Sequence, residues 1–162
     1  MRRKFGRMIN DLAKKDKKIV LIVGDIGYGI FDDFRKNHPD RFYNMGICEQ
    51  SIIGFASGMA LENMKPWVYT ITPFLIERPF EQVKLDINQQ KANVKLVGYA
   101  DYPSLGPTHS EIIDKKTMSL FKNIKSFFPK DSDETAKAIQ YSYKRKGPCF
   151  ISLKSDKKIK KF

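Results

Sequence analysis

Between Lys18 and Gly24 the chain runs Ile-Val-Leu-Ile-Val without a polar interruption. A strand with one wet face alternates apolar and polar residues, whereas a continuous β-branched run marks a strand covered on both faces. A parallel sheet flanked by helices is the usual way to cover both. The remaining pattern agrees. Phe5, Met8, Ile9 and Leu12 follow the spacing of an amphipathic helix ahead of the run. After it the sequence predicts a short helix over 30–37, stopped near Pro39, and a strand over 41–45. A helix over 51–63 is rich in small residues (Gly54, Ala56, Ser57, Gly58, Ala60), so it should pack closely on its neighbours. Then come a strand over 67–71, a helix over 77–90 carrying Phe80, Val83, Leu85 and Ile87, and a strand over 94–97. A Pro/Gly-rich loop over 101–108, a brief helix over 117–121 and a strand over 124–128 follow. Asp131 with Glu134 three residues on has the form of a capping box for a helix ending near Arg145, and the last strand is 148–153. The expected fold class is α/β, one domain over 1–155 with right-handed crossovers, followed by a basic tail over 156–162.

A length of 162 residues suits one such domain, and 41% hydrophobic residues can fill its core. Five apolar residues in a row fall far short of the roughly 20 that span a bilayer. Cys48 and Cys149 are too few and too distant for a disulfide framework or metal knuckle. The start is basic but leads into a polar helix, unlike a secretory signal, so a reduced, cytoplasmic protein is expected. The net charge of +12 comes from scattered lysines, with local clusters at 14–18, 144–146 and 154–161, without interleaved aromatics or a nucleic-acid motif. It reads as a solvated basic surface, or as attraction for anionic substrates or an acidic partner.

Parallel sheets bind ligands in the loops beyond the carboxyl ends of their strands. Four loops qualify: 24–29, 46–50, 70–74 and 99–109. Gly24-Asp-Ile-Gly-Tyr-Gly29 lacks the G-x-G-x-x-G spacing, and no phosphate-loop motif occurs anywhere, so it is a tight turn or part of another kind of site. Glu49, between a strand and the small-residue helix, either favours the positive helix end or performs chemistry. His109 ends a Gly-Pro-Thr-His loop, an unusual place for core filler. His38 precedes Pro39 and is expected on the surface. Cys48 lacks an accompanying base and reads as a small packed thiol.

In order, these segments resemble the central pyrimidine-binding (Pyr) domain of the transketolase family, which includes deoxyxylulose-phosphate synthases and is related to pyruvate dehydrogenase β subunits. The likeness rests on Phe42-Tyr-Asn-Met-Gly-Ile-Cys-Glu-Gln-Ser-Ile-Ile-Gly-Phe-Ala-Ser-Gly-Met-Ala60, on the aromatic segment 70–83 and on Gly106-Pro-Thr-His109. The resemblance implies thiamine diphosphate as cofactor. It gives Glu49 the carboxyl that bonds N1′ of the aminopyrimidine and promotes its imino tautomer. Phe74 or Phe80 would stack on that ring, with Arg78 on the same cofactor-binding segment. His109 would be catalytic and, with Asp25 and Asp101, substrate-binding; no metal ligand is assigned. Family members hold diphosphate and Mg²⁺ on a separate PP domain through a Gly-Asp-Gly…Asn segment that this chain lacks. The sequence also ends soon after its last strand, without the family's third domain. A second chain is therefore expected to bring the PP domain and Mg²⁺, with this chain dimeric within a heterotetramer. The loop before His109 is shorter than in transketolases and lacks one acidic residue that reads a donor hydroxyl. Three readings stay open: a two-carbon transfer between sugars, a 2-oxo acid decarboxylase or acyl-transferring subunit, and a non-catalytic interaction subunit. Neither nucleic acid nor membrane is expected as a partner.

Overall fold

In the computed structural model the apolar run is a strand, β1 (Ile19–Val23), with all its residues buried. Residues 1–103, 106–110 and 114–155 are described; the expected tail at 156–162 lies outside them. The other strands are β2 (Phe42–Asn44), β3 (Lys65–Ile71), β4 (Lys95–Tyr99), β5 (Lys125–Phe127) and β6 (Cys149–Leu153). They form one six-stranded sheet in the order β2-β1-β3-β4-β6-β5, and every pairing is parallel. Side chains alternate between two separate cores. Ile19, Leu21, Val23, Trp67, Tyr69 and Ile151 lie in one, and Val20, Ile22, Val68, Leu96 and Phe150 in the other.

The helices α1 (Arg2–Lys15), α2 (Asp32–Asn37) and α7 (Ser132–Lys144) cover the first core. The second is covered by α3 (Glu49–Leu61), α4 (Thr72–Ile76), α6 (Asp114–Ser119) and a π-helical turn, Val83–Gln89, which follows the one-turn α5 (Phe80–Gln82). Connections that move one way across the sheet use one face and those that move back use the other, as a constant crossover hand requires. From β1 the chain steps out to β2 and then returns past β1 to β3. That reversal opens a crevice beyond the carboxyl ends of β1 and β3.

Two expectations need correction. The helix over 77–90 starts later and changes type: a turn occupies 77–79, and α5 begins at Phe80 and passes into the π-helical turn at Val83. An additional short helix, α4, with Pro73 in its first turn, fills 72–76 where a loop was expected. Pro79 has no N–H to continue a ladder and disfavours helical backbone at Arg78, so the helix starts only after it. His38, expected on the surface, is 7% exposed. Its Nδ1 accepts from Arg41 Nη2 at 2.8 Å and its Nε2 donates to the Asn10 carbonyl at 3.3 Å. Arg41 also reaches carbonyls of Ala13, Asp16 and Ile19, so the pair seals the junction of α1 with β1.

Candidate active site

Glu49 is the first residue of α3, and Cys48 at the N-cap offers no side-chain cap. The Cys48 thiol instead donates to the Met45 carbonyl at 2.9 Å, which agrees with a packed thiol. Only 4% of the Glu49 side chain is exposed. A buried carboxylate needs a partner, and the helix N-terminus supplies only part of the compensation. The rest comes from the turn between α4 and α5: Arg78 Nη1 donates to Oε1 at 3.3 Å and to Oε2 at 3.1 Å. The same guanidinium sits over the Phe74 ring, its central carbon 3.2 Å from the ring centroid.

From Phe74 a row of aromatic groups crosses the ends of β3 and β4. His109, in a 3-10 turn (Pro107–His109), packs with its ring centroid 5.0 Å from that of Phe74. Tyr102 stacks on His109 at 5.8 Å, and Tyr99 meets Tyr102 edge-on at 5.4 Å. Arg2 closes the row, 3.7 Å over the Tyr99 ring and bonded through Nε to the Tyr69 hydroxyl at 2.6 Å. Phe74, Tyr102 and His109 line a small cleft of about 110 Å³ together with Gly24, Asp25, Ile47 and Thr70.

Close packing shapes the cleft. A Cβ on Gly24 would lie 3.1 Å from Thr70 Oγ1, so a larger residue would press the loop after β1 away from the end of β3. Asn44, at the end of β2, ties the next loop in. Its Oδ1 accepts from the amides of Asp25 and Gly46, and its Nδ2 donates to Asp25 Oδ1 at 3.1 Å. Asp25 also holds the exposed Tyr28 hydroxyl at 3.0 Å, which raises that phenol above its ordinary pKa.

The expected residues therefore divide. Glu49, Arg78, Phe74 and His109 form one connected group, with Asp25 on the rim of the same cleft. Asp101 is turned to a structural contact: its Oδ1 accepts the Ser155 amide at 2.6 Å. Phe80 packs against Phe121 with its ring tilted by 47° at 5.3 Å, between α5 and the segment after α6. Two further residues of the site, Tyr102 and Asn44, carry no distinctive local pattern. Tyr102 sits in the Pro/Gly-rich loop, where the charged residues are the stronger signal, and Asn44 ends a strand at the sheet's ligand-binding side. A larger cavity, about 340 Å³, lies between β5 and α7. Its lining is mostly apolar (Phe127, Phe128, Ala138, Tyr141), and its one carboxylate, Glu134, accepts the Lys130 amide. It holds no group poised for catalysis.

A family model for "Transketolase, pyrimidine binding domain" matches residues 1–157. The chain belongs to the transketolase pyrimidine-binding domain family. Among curated relatives, an apulose-4-phosphate transketolase subunit of Actinobacillus succinogenes is 42% identical over 74% of this chain and 40% of its own length. A 1-deoxy-D-xylulose-5-phosphate synthase of Clostridium perfringens is 34% identical over 96% of this chain and 27% of its own. A solved structure described as "Split gene transketolase, inactive beta4 tetramer" superposes with a TM-score of 0.85 at 30% identity, covering 94% of this chain and 50% of that one. The chain spans 40–50% of the length of the three curated relatives that match first. The family implies thiamine diphosphate. No helix among the described residues is long and apolar enough to cross a membrane.

Proposed function

We propose that this chain is the pyrimidine-binding subunit of a thiamine-diphosphate-dependent, transketolase-like transferase that moves a two-carbon unit between sugars. The observation that carries the reading is Glu49: a carboxyl 5% exposed, at a helix start, grouped with an aromatic face and a histidine beside the cleft where the strand order reverses. Burying a carboxylate costs stability, so such a position favours a functional role over helix-dipole support. The residues fit the aminopyrimidine half of the cofactor: a planar heterocycle needs one hydrogen-bonding carboxyl and one ring face, and Glu49 and Phe74 offer both.

When bound, thiamine diphosphate supplies the electron sink that allows a bond beside a carbonyl to break. With the cofactor bound, Glu49 would hold a proton shared with ring N1′ at its carboxyl oxygen, Phe74 would set the plane of the ring, and His109 would face the substrate from the cleft wall. Phe80, engaged with Phe121, is the weaker candidate for stacking. Asp25 orders the rim, and the Asp101 contact with Ser155 favours a role in shaping the loop over one in reading substrate. A PP-domain chain completes the site, supplies the diphosphate and Mg²⁺ contacts, and joins a dimer of this chain in a heterotetramer. The relatives named as a transketolase subunit and as a split gene transketolase support a separate partner subunit.

The test is Glu49→Gln and Glu49→Ala in the complex with its PP-domain chain, assayed with ketose phosphates and with pyruvate as donors. The expected result is a loss of at least about 100-fold in kcat, the scale of one lost proton-transfer group. Unchanged activity would remove the reading. A preference for pyruvate would instead favour the acyl-transferring alternative, to which the synthase relatives give some support.

A further inference from the structure

Arg78 is paired with two groups that the cofactor would use. Its guanidinium is a flat, delocalised plate with donors along its edge, and such plates stack on aromatic faces while bonding carboxylates. Here one guanidinium meets both groups, its central carbon 3.2 Å from the Phe74 ring centroid and its Nη1 bonded to Glu49. An aminopyrimidine that bonds Glu49 and stacks on Phe74 asks for the same carboxyl and the same ring. Phe74 is 7% exposed, and its other neighbour in the row, His109, is tilted 59° to it at 5.0 Å, so no second open face is on offer.

Resting on the function proposed above, we propose that Arg78 is a stand-in for the cofactor's aminopyrimidine ring: it fills the seat in the unliganded chain and leaves when the ring arrives. Several features suit a movable group. Arg78 lies in a turn, not within a helix. Its side chain is 34% exposed, against 4% for Glu49, so an outward path to solvent exists. Its backbone stays anchored through a 3.4 Å bond from Gln50 Nε2 to its carbonyl, so the side chain can move without the turn. The stand-in keeps a buried carboxylate compensated before the cofactor binds, avoiding the cost of an uncompensated buried charge. It also taxes binding, because only the fraction of molecules with Arg78 withdrawn can accept the ring.

The test uses the full chain and an uncharged probe, 4-amino-5-hydroxymethyl-2-methylpyrimidine, so that removing a cation does not itself alter attraction. In the wild type, NMR should show the Arg78 side-chain resonances shifted by the Phe74 ring current, and probe binding should return them towards ordinary arginine values. Arg78→Lys, which keeps the charge but not the plate, and Arg78→Ala should each tighten probe binding by about 10-fold, the factor expected if the seat is filled nine-tenths of the time. Glu49→Ala should abolish binding. The wild-type spectrum needs no variant, so it decides the matter even if Arg78→Ala folds poorly. Arg78 resonances that stay ring-shifted in the bound chain, or variants that bind more weakly than wild type, would overturn the stand-in while leaving the function intact. A probe that disturbs neither Glu49 nor Phe74 in any variant would also overturn the stand-in, while the Glu49→Gln activity assay in the complex decides the function separately.

Discussion

Lys95, the first residue of β4, is 1% exposed at the end of the sheet opposite the cleft. Its ammonium donates to Asn93 Oδ1 at 2.6 Å, to the Arg145 carbonyl at 3.0 Å and to the Gly147 carbonyl. Burial pushes it down to about 8 from an ordinary lysine value of 10.5, with Cys149 opposing the shift and the charges of Arg145 and Lys65 adding to it. Between those values the unfolded chain holds a proton that the folded chain has released. This residue's contribution to stability therefore rises with pH from about 8 to about 10.5, and its cost is fully present below that window. Urea denaturation across the window should show a positive slope that Lys95→Met loses; equal slopes would refute the burial cause. Lys95→Met should also be less stable at every pH, since the Arg145 and Gly147 carbonyls lose the ammonium donor and Asn93 Oδ1 keeps only the Gly147 amide. Gly98 is a second point where one atom decides. A Cβ there would lie 2.5 Å from Thr72 Oγ1 and 3.2 Å from Thr72 Cα. Gly98→Ala should cost about 1–3 kcal/mol as overpacking, read as a lower Tm. Thr72 Oγ1 has no hydrogen-bond partner among the described residues. Adding Thr72→Ala should therefore recover part of the loss, and strict additivity would mean that the contact is not the cause.

Among the elements, those with their own local signals were the ones legible in the sequence. The strand β1 announced itself as a run with no wet face, and α7 through its capping residues. Asp131 Oδ1 accepts the amides of Asp133 and Glu134, both at 2.8 Å. Glu134 departs from the usual box by reaching back to the Lys130 amide at 2.9 Å instead of the Asp131 amide. Asp131→Ala should cost about 1 kcal/mol, while Asp131→Asn should keep most of it; thermal melts of the two decide whether the cap or the charge matters. Apolar spacing starts the 77–90 helix too early, because it counts side chains and ignores where a missing N–H stops the ladder. Phe80, Val83, Leu85 and Ile87 suggest one face, yet only Val83 and Ile87 are buried. The site was legible where one residue type in one loop was enough, as at Glu49 and His109. It was not legible where partners meet across the sheet. Nothing local links Asn44 to Asp25, His38 to Asn10 or Asp101 to Ser155, since each contact exists only once distant segments are brought together.

For the whole molecule, the reversal of strand order between β1 and β3 places the candidate site at one end of the sheet and leaves it open to a second body. The groups gathered there suit a ring and a carbonyl substrate: a carboxyl, an arginine, aromatic faces and a histidine. They do not suit a diphosphate with its metal, and no group of three or more His, Cys, Asp or Glu side chains that could hold a metal occurs among the described residues. Nor do the chain's 30 lysines and arginines serve as a substitute. Scattered solvated cations attract an anion without fixing it, and screening at physiological salt removes most of that attraction beyond about 8 Å. Binding that stabilises only the folded state raises Tm in proportion to ln(1 + [L]/Kd), so thermal melts distinguish half a site from a whole one. Thiamine diphosphate with Mg²⁺, at concentrations that saturate the complete enzyme, should leave the Tm of this chain alone unchanged. In the complex with a PP-domain chain, ligand at about 100 times Kd contributes about 2.7 kcal/mol and should raise Tm by several degrees. A comparable shift for the isolated chain would mean that it carries its own diphosphate site, and the division of the active site between two chains would have to be abandoned.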